Sequence, residues 1–207
     1  MTLLLILDYG SVVIFALTGA LAASRAQLDL IGFGFVACLT AVGGGTLRDL
    51  LLDRNPLFWI AEPSYLAAAT CAALVVFFTA HLMESRLTWL IWLDAFALSV
   101  AVAAGAGGAM SLDQPASIVL IMGVITGTMG GLLRDVVLGE VPLVLKQGEL
   151  YVTAAFGGAA AALVMSQVTS NPWLILLSCA ASTLCLRAGS LLFGWRLPVY
   201  RARPPRR

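Results

Sequence analysis

Charged residues are scarce in this sequence: Asp, Glu, Lys and Arg together make up 11% of its 207 residues, whereas 60% are hydrophobic and the mean hydropathy is +0.97. A soluble domain carries roughly 25% charged residues. So few charges cannot cover a water-facing surface, and the sequence therefore predicts a chain that lies mostly in lipid. The net charge of +1 does not point to nucleic acid, and we expect no nucleic-acid partner.

The sequence also lacks the residue clusters that enzymes and metal sites need. Its four cysteines all fall within apolar stretches, without the spacing of a zinc site, and we interpret them as small packing residues. No nucleophile with a matching base, and no phosphate-binding loop between a strand and a helix, can be recognised. We therefore expect no enzymatic activity, no cofactor and no bound metal.

The chain does contain an internal repeat, which is the first feature to look for in any sequence. The segment 44–49, Gly-Gly-Thr-Leu-Arg-Asp, recurs 86 residues later at 130–135 as Gly-Gly-Leu-Leu-Arg-Asp. The same offset holds without a gap from Leu7 to about Phe78. Four further pairs of landmark residues share it: Asp8 with Asp94, Gly19 with Gly105, Pro56 with Pro142, and Tyr65 with Tyr151.

Each copy contains three apolar segments, and one more segment follows the second copy. A membrane helix needs about 20 mostly apolar residues. The segments run over about 4–23, 29–52, 63–81, 90–108, 115–138, 149–167 and 172–193. The predicted fold is an all-α membrane protein with seven transmembrane helices in a single domain over 1–207: repeat one at about 4–81, repeat two at about 90–167, and a seventh helix at about 172–193. Because three is odd, the second copy enters the membrane from the opposite side, and the copies are inverted repeats.

The placement of Arg and Lys predicts the orientation. With the N-terminus outside, and with the motif residues Arg48 and Arg134 set aside, every Lys and Arg lies inside except Arg54. Cytoplasmic loops carry the excess of basic residues in membrane proteins. We therefore expect the N-terminus outside and the C-terminus in the cytoplasm, with the basic tail over 196–207 lying against anionic lipid headgroups.

Glycines interrupt the second and fifth apolar segments near their middle. Because glycine has no side chain and admits left-handed dihedrals, we expect both helices to kink or unwind there and to line a polar path with freed carbonyl oxygens. The alternative interpretation is close helix packing, as in small-xxx-small motifs. The glycines concerned are Gly43, Gly44 and Gly45 in the second segment and Gly127, Gly130 and Gly131 in the fifth.

Charged residues lie about one helical turn beyond the glycines. A charge at mid-membrane costs about 2.5–3.5 kcal/mol, so such charges usually pair inside the bundle. The topology brings Asp8 and Arg48 near the outer face, and it brings Asp94 and Arg134 near the inner face, so we predict an ion pair in each place. The alternative is that the arginines snorkel to headgroups and only anchor the helix ends. The predicted intramembrane charges are Asp8, Arg48, Asp49, Asp94, Arg134 and Asp135.

The doubled Gly-Gly-x-x-Arg-Asp motif, the two three-helix copies and the seventh helix resemble the prokaryotic branch of the trimeric intracellular cation channel family, over about residues 5–193. This branch was long described as uncharacterised membrane proteins, and some of its members as glycine transporters. The resemblance implies a homotrimer with a pore in each subunit and passage of monovalent cations, chiefly potassium. It also implies kinks at Gly43, Gly44 and Gly45 and at Gly130 and Gly131. The second motif has Met129 where the first has Gly43, so the resemblance does not require two identical kinks.

Three functions fit these features. The first is passive conduction of potassium and sodium ions through each protomer, between the first, second, fourth and fifth helices. The second is secondary transport of a small solute such as glycine, because inverted repeats with broken helices are equally typical of transporters. The third is a structural protein that organises lipid. A short chain whose inner face is rich in Arg and nearly free of Lys is typical of prokaryotes, so we expect it in the plasma (inner) membrane.

Overall fold

The structure, a computed structural model, describes residues 2–82, 85–146 and 148–198, so most of the predicted basic tail lies outside the described residues. The described part is almost entirely α-helical, with short 3₁₀ turns at Ala80–Leu82 and Leu143–Leu145. Its helices are α1 (Thr2–Arg25), α2 (Leu30–Leu51), α3 (Phe58–Ala61), α4 (Ser64–Thr79), α5 (Arg86–Met110), α6 (Ala116–Val137), α7 (Val152–Val168) and α8 (Pro172–Phe193).

Six of the described helices are long and apolar enough to cross a membrane: α1, α2, α4 with its following 3₁₀ turn, α5, α6 and α8. The seventh apolar helix, α7, has 17 residues, which is the lower limit for a span. The remaining helix, α3, has only four residues. The predicted all-α membrane fold with two three-helix copies and a seventh helix is confirmed, and α3 is a short addition between α2 and α4.

The 86-residue offset reappears in the backbone. Helix α2 begins and ends 86 residues before α6. Turns at equivalent positions adopt the same unusual positive φ: 55° at Gln27 and 50° at Asp113, then 51° at Asp53 and 67° at Gly139. Non-glycine residues rarely adopt this conformation. Its recurrence therefore shows that the two copies follow the same local path.

The two copies pack against each other through equivalent helices, α1 against α5 and α2 against α6. Both pairs run antiparallel: Gly10 lies next to Val100 and Leu4 next to Gly107, while Gly44 meets Thr126 and Thr40 meets Gly130. The offset converts the contact between 44 and 126 into the contact between 130 and 40. This exchange is what a two-fold axis between inverted repeats produces.

Small side chains fill the centre of the bundle. Helix α5 is the most enclosed, and its alanines from Ala95 to Ala109 are buried against α1, α6, α7 and α8. Small residues let helix backbones approach closely, which stabilises helix packing in lipid, where no hydrophobic force drives helices together. Large apolar side chains such as Ile31, Phe78 and Val168 point outward, as lipid-facing residues do.

The expectation that α2 and α6 unwind at their glycines is wrong. Both are unbroken α-helices through these positions, so their carbonyl oxygens remain in helical hydrogen bonds. The glycines act by making space: a Cβ on Gly44 would collide with the carbonyl oxygen of Thr126, and one on Gly130 with that of Thr40. Close packing, the alternative interpretation, explains the crossing. A bend without unwinding stays a prediction.

Candidate functional site

The first charge cluster, formed by Asp8, Arg48 and Asp49, lies between α1 and the C-terminal end of α2. The Arg48 side chain is 1% exposed; its Nη1 donates to Asp8 Oδ1 at 2.7 Å and its Nε to Asp49 Oδ1 at 2.9 Å. The other Asp49 oxygen accepts a bond of 3.0 Å from the backbone N–H of Phe58, at the start of α3. Arg54, a half-exposed residue, reaches Asp49 at 3.3 Å. One buried guanidinium thus joins α1, α2 and α3.

The second charge cluster, formed by Asp94, Arg134 and Asp135, repeats this geometry between α5 and α6. Arg134 Nη1 donates to Asp94 Oδ1 at 2.8 Å, and Nε donates to Asp135 Oδ1 at 2.7 Å. Asp135 Oδ2 accepts a bond of 2.9 Å from the backbone N–H of Leu143. Arg134 Nη1 also donates to Thr18 Oγ1 at 3.0 Å, which brings α1 of the other copy into this cluster.

The two clusters differ in how tightly they are closed. The side chain of Asp8 is 16% exposed, whereas that of Asp94 is completely buried. The hydroxyl of Tyr151 donates to Asp94 Oδ2 at 2.8 Å. The equivalent Tyr65 makes no hydrogen bond to Asp8 in the part of the chain that the structure describes. One carboxylate oxygen of Asp8 therefore lacks the tyrosine hydrogen bond that Asp94 accepts.

Helix α8 adds a further charged group beside the second cluster. Arg187 is fully buried, pairs with Glu149 at 2.9 Å, and lies 5.0 Å above the centre of the Tyr151 ring. A cation at this distance from an aromatic face is attracted to it. Among the described residues, repeat one has no arginine over the equivalent Tyr65, because α8 follows the second copy only.

All six predicted intramembrane charges fall in these two clusters, and each arginine lies beside the aspartate expected for it. Both arginines point into the bundle instead of snorkelling to headgroups, since Arg48 is 1% and Arg134 0% exposed. Their role in transport stays a prediction. The contacts of Tyr151 and Thr18 were not predicted from the sequence. The offset marked Tyr151 as a landmark, but nothing local to either residue signalled its partner.

The other predicted glycines make room for the clusters and for neighbouring side chains. A Cβ on Gly45 would lie 2.6 Å from the ring of Phe58, and one on Gly131 would lie 3.2 Å from the Tyr151 hydroxyl. Glycine at these two equivalent positions thus lets a ring or hydroxyl approach the α2 and α6 backbones. The two remaining glycines of the six pack against apolar side chains: Gly43 against Leu133 and Gly127 against Val102.

Two cavities, each lined by both polar and apolar residues, adjoin the clusters. One of about 10 Å³ is lined by Asp8, Ser11, Gly44 and Thr126, and it has room for about one water molecule. A wider cavity of about 360 Å³ opens beside the second cluster. Its polar lining is Arg25, Arg134, Asp135, Glu140 and Lys146. The α2–α6 crossing lies between the two clusters and is closed by direct backbone packing.

Comparison with known proteins identifies the family. A family model described as "Glycine transporter" matches the chain twice, at residues 5–81 and 91–167. A UPF0126 membrane protein of Vibrio cholerae is 38% identical over 96% of this chain and 83% of its own length. The UPF0126 inner membrane protein YadS of Escherichia coli is 36% identical over 73% of each chain.

Solved structures give the same result. The trimeric intracellular cation channel orthologue from Rhodobacter sphaeroides superposes with a TM-score of 0.90 at 42% identity, covering 94% of this chain and all of that one. A second structure, described as a basis for conductance through such cation channels, has a TM-score of 0.84 at 29% identity over 97% of this chain and 98% of that one.

These matches confirm the resemblance drawn from the doubled Gly-Gly-x-x-Arg-Asp motif. They also confirm that the chain is an integral membrane protein and not an enzyme, since the sequence relatives are membrane proteins and the solved relatives are channels. Over nearly its whole length, the chain therefore belongs to the prokaryotic branch of the trimeric intracellular cation channel family, whose sequence model is described as a glycine transporter.

Proposed function

We propose that this protein is a cation channel that passes monovalent cations, chiefly potassium, along a path inside each subunit of a homotrimer. The observation that carries this proposal is the match to the Rhodobacter sphaeroides channel orthologue, with a TM-score of 0.90 at 42% identity. The path runs between α1, α2, α5 and α6, where the two inverted copies meet.

The charge balance of the clusters supports cations over anions. With all groups ionised, the second cluster has two carboxylates around one buried guanidinium, whereas in the first cluster the half-exposed Arg54 also contacts Asp49. A surplus of negative charge with little access to water attracts cations strongly, because screening there is weak. Asp8, whose side chain retains some exposure, is the carboxylate that an entering cation meets first.

The conformation described here is closed at the α2–α6 crossing. The cavity beside Gly44 and Thr126 holds about one water molecule, which is too little to conduct a file of ions. Conduction therefore requires the crossing to widen. Because α2 and α6 are unbroken helices, we infer that they separate or rotate as whole elements.

We further propose that the protein lies in the inner membrane, with its N-terminus outside and its basic tail at the cytoplasmic lipid surface. The distribution of Arg and Lys supports this orientation. An Escherichia coli relative is named an inner membrane protein, which supports this location.

Secondary transport of glycine is the second candidate, favoured by the description of the family model. A broken helix offers a carboxylate the free N–H groups of its half-helix N-terminus. The unbroken α2 and α6 do not present such groups at the glycines, which weakens this alternative.

Recordings from the purified protein in planar bilayers test the proposal. In a potassium chloride gradient we expect stepwise currents that reverse near the potassium equilibrium potential. Uptake of labelled glycine into proteoliposomes is measured in parallel. Saturable uptake without unitary current would establish the transporter instead, and the absence of both would leave a structural, lipid-organising protein.

A further inference from the structure

Three residues connect the second charge cluster to α8: Glu149, Tyr151 and Arg187. The buried guanidinium of Arg187 pairs with Glu149 at 2.9 Å and lies over the Tyr151 ring at 5.0 Å. The Tyr151 hydroxyl donates to Asp94 Oδ2 at 2.8 Å. The other oxygen of Asp94 binds Arg134 at 2.8 Å. A continuous series of polar contacts therefore runs from α8 to the carboxylate that faces Arg134.

The position of Tyr151 is fixed by α8 and the residues just after it. The backbone N–H of Leu150 donates to Ser190 Oγ at 3.0 Å, and the N–H of Leu197 donates to the Gly148 carbonyl at 3.2 Å. Tyr151 itself is 2% exposed. Together with the Arg187–Glu149 ion pair, these two hydrogen bonds hold the segment that carries Glu149 and Tyr151 against α8 and its C-terminal extension.

Repeat one serves as an internal comparison, because it has the same tyrosine without α8. Tyr65 is also buried, but Tyr9 stacks on its ring at 4.0 Å in place of an arginine. Among the described residues its hydroxyl makes no hydrogen bond to Asp8. The Asp8 side chain is 16% exposed, whereas Asp94 is fully buried. The two equivalent tyrosines therefore differ in the group that faces the ring and in the hydrogen bond to the aspartate, and α8 supplies the group that faces Tyr151.

We propose that Arg187 and Tyr151 are positioning residues that hold Asp94 on Arg134 and so keep the second cluster closed, which makes the α8 side the controlled end of the path. This inference rests on the proposed channel function. Without the Tyr151 hydroxyl, a buried carboxylate oxygen loses its donor, and a buried oxygen without a donor is unfavourable. The closed conformation alone suffers this loss, so the population shifts toward open conformations in which water or a cation takes the hydroxyl's place.

Single-channel recording of Tyr151→Phe, with Tyr65→Phe as the matched control, tests the inference. Tyr151→Phe keeps the ring under Arg187 and removes only the hydroxyl. We expect the ratio of open to closed time to rise about tenfold. The loss of a hydrogen bond to a charged group changes an equilibrium constant by roughly a factor of ten or more. Tyr65→Phe should stay within about twofold of wild type. Equal behaviour of the two variants would overturn the inference.

A double-mutant cycle then shows whether Arg187 acts through Tyr151. Arg187→Met should raise the open-to-closed ratio in the wild-type background but add little to Tyr151→Phe, because both changes release the same carboxylate. Arg187→Lys, which keeps a cation over the ring, should restore most of the wild-type ratio. Independent, multiplying effects of Arg187→Met and Tyr151→Phe would contradict the series of contacts. A wild-type protein without current would overturn the proposed function, whereas a conducting wild type with unchanged variants would overturn this inference alone.

Discussion

Each charge cluster is organised by one arginine that spans two carboxylates. Nε of Arg48 and of Arg134 binds the next residue of the helix, and Nη1 reaches an aspartate on a neighbouring helix. The planar fork of arginine meets two such acceptors at fixed angles, which the point charge of a lysine ammonium does not. A buried charge is tolerated only where it is paired in this way.

The different burial of Asp8 and Asp94 predicts that the same substitution lowers the free energy of unfolding by different amounts. Asp94→Asn leaves Arg134 fully buried with one carboxylate fewer, so we expect it to lower the free energy of unfolding by about 3 kcal/mol. Asp8→Asn should cost less, about 1 kcal/mol, because the Asp8 side chain keeps some contact with solvent and its charge is partly screened. Thermal unfolding of both variants in the same detergent measures the difference. Equal losses would show that burial does not separate the clusters.

At the scale of the helices, the α2–α6 crossing is a close backbone approach between the two copies. It is built from Gly44 against Thr126 and from the equivalent pair Gly130 and Thr40. Backbone meets backbone there, so the crossing cannot accommodate even one methyl group without movement of a helix. By contrast, Gly34, near the other end of α2, has open space around it.

This difference predicts opposite effects of Gly→Ala substitution within one helix. Gly44→Ala should destabilise the protein by about 1–3 kcal/mol, because the new methyl group collides with a backbone carbonyl that cannot turn away. Gly34→Ala should be neutral or stabilise by about 0.5–1 kcal/mol, since alanine favours the helix and meets no neighbour. Unfolding in detergent compares the two. Tolerance of Gly44→Ala would mean that the crossing is loosely packed.

How much the sequence could predict also depends on scale. The apolar pattern predicted the second segment as 29–52, and α2 covers Leu30–Leu51, because apolar length and turn residues are local properties. Unwinding was mispredicted because a glycine cluster permits both a break and a close approach. Thr126 decides between them, and it lies nearly a whole repeat away from Gly44 in the chain. Likewise, tyrosine occupies the equivalent positions 65 and 151, and the different contacts of the two side chains depend on the helices packed around them.

For the whole molecule, two-fold related copies with an odd number of spans must lie in opposite orientations. Equivalent turns of the two copies therefore face opposite sides of the membrane. Ala26, after α1, and Leu112, after α5, are such a pair, 86 residues apart and both exposed. The excess of basic residues predicts that Ala26 lies inside and Leu112 outside.

Cysteine labelling of intact cells tests this orientation with two otherwise equivalent sites. In a background whose four native cysteines are replaced by alanine, Leu112→Cys should react with a membrane-impermeant maleimide, and Ala26→Cys should react only after the cells are lysed. The control is full labelling of both variants in lysate, which shows that the thiols are equally accessible. The reverse pattern would mean that the basic residues do not set the orientation, and labelling of both sites in intact cells would contradict inversion itself. The predicted outcome places the side of the bundle that carries Arg187 and the second charge cluster at the cytoplasm, because an odd number of spans separates the turn at Leu112 from the C-terminal end of α6.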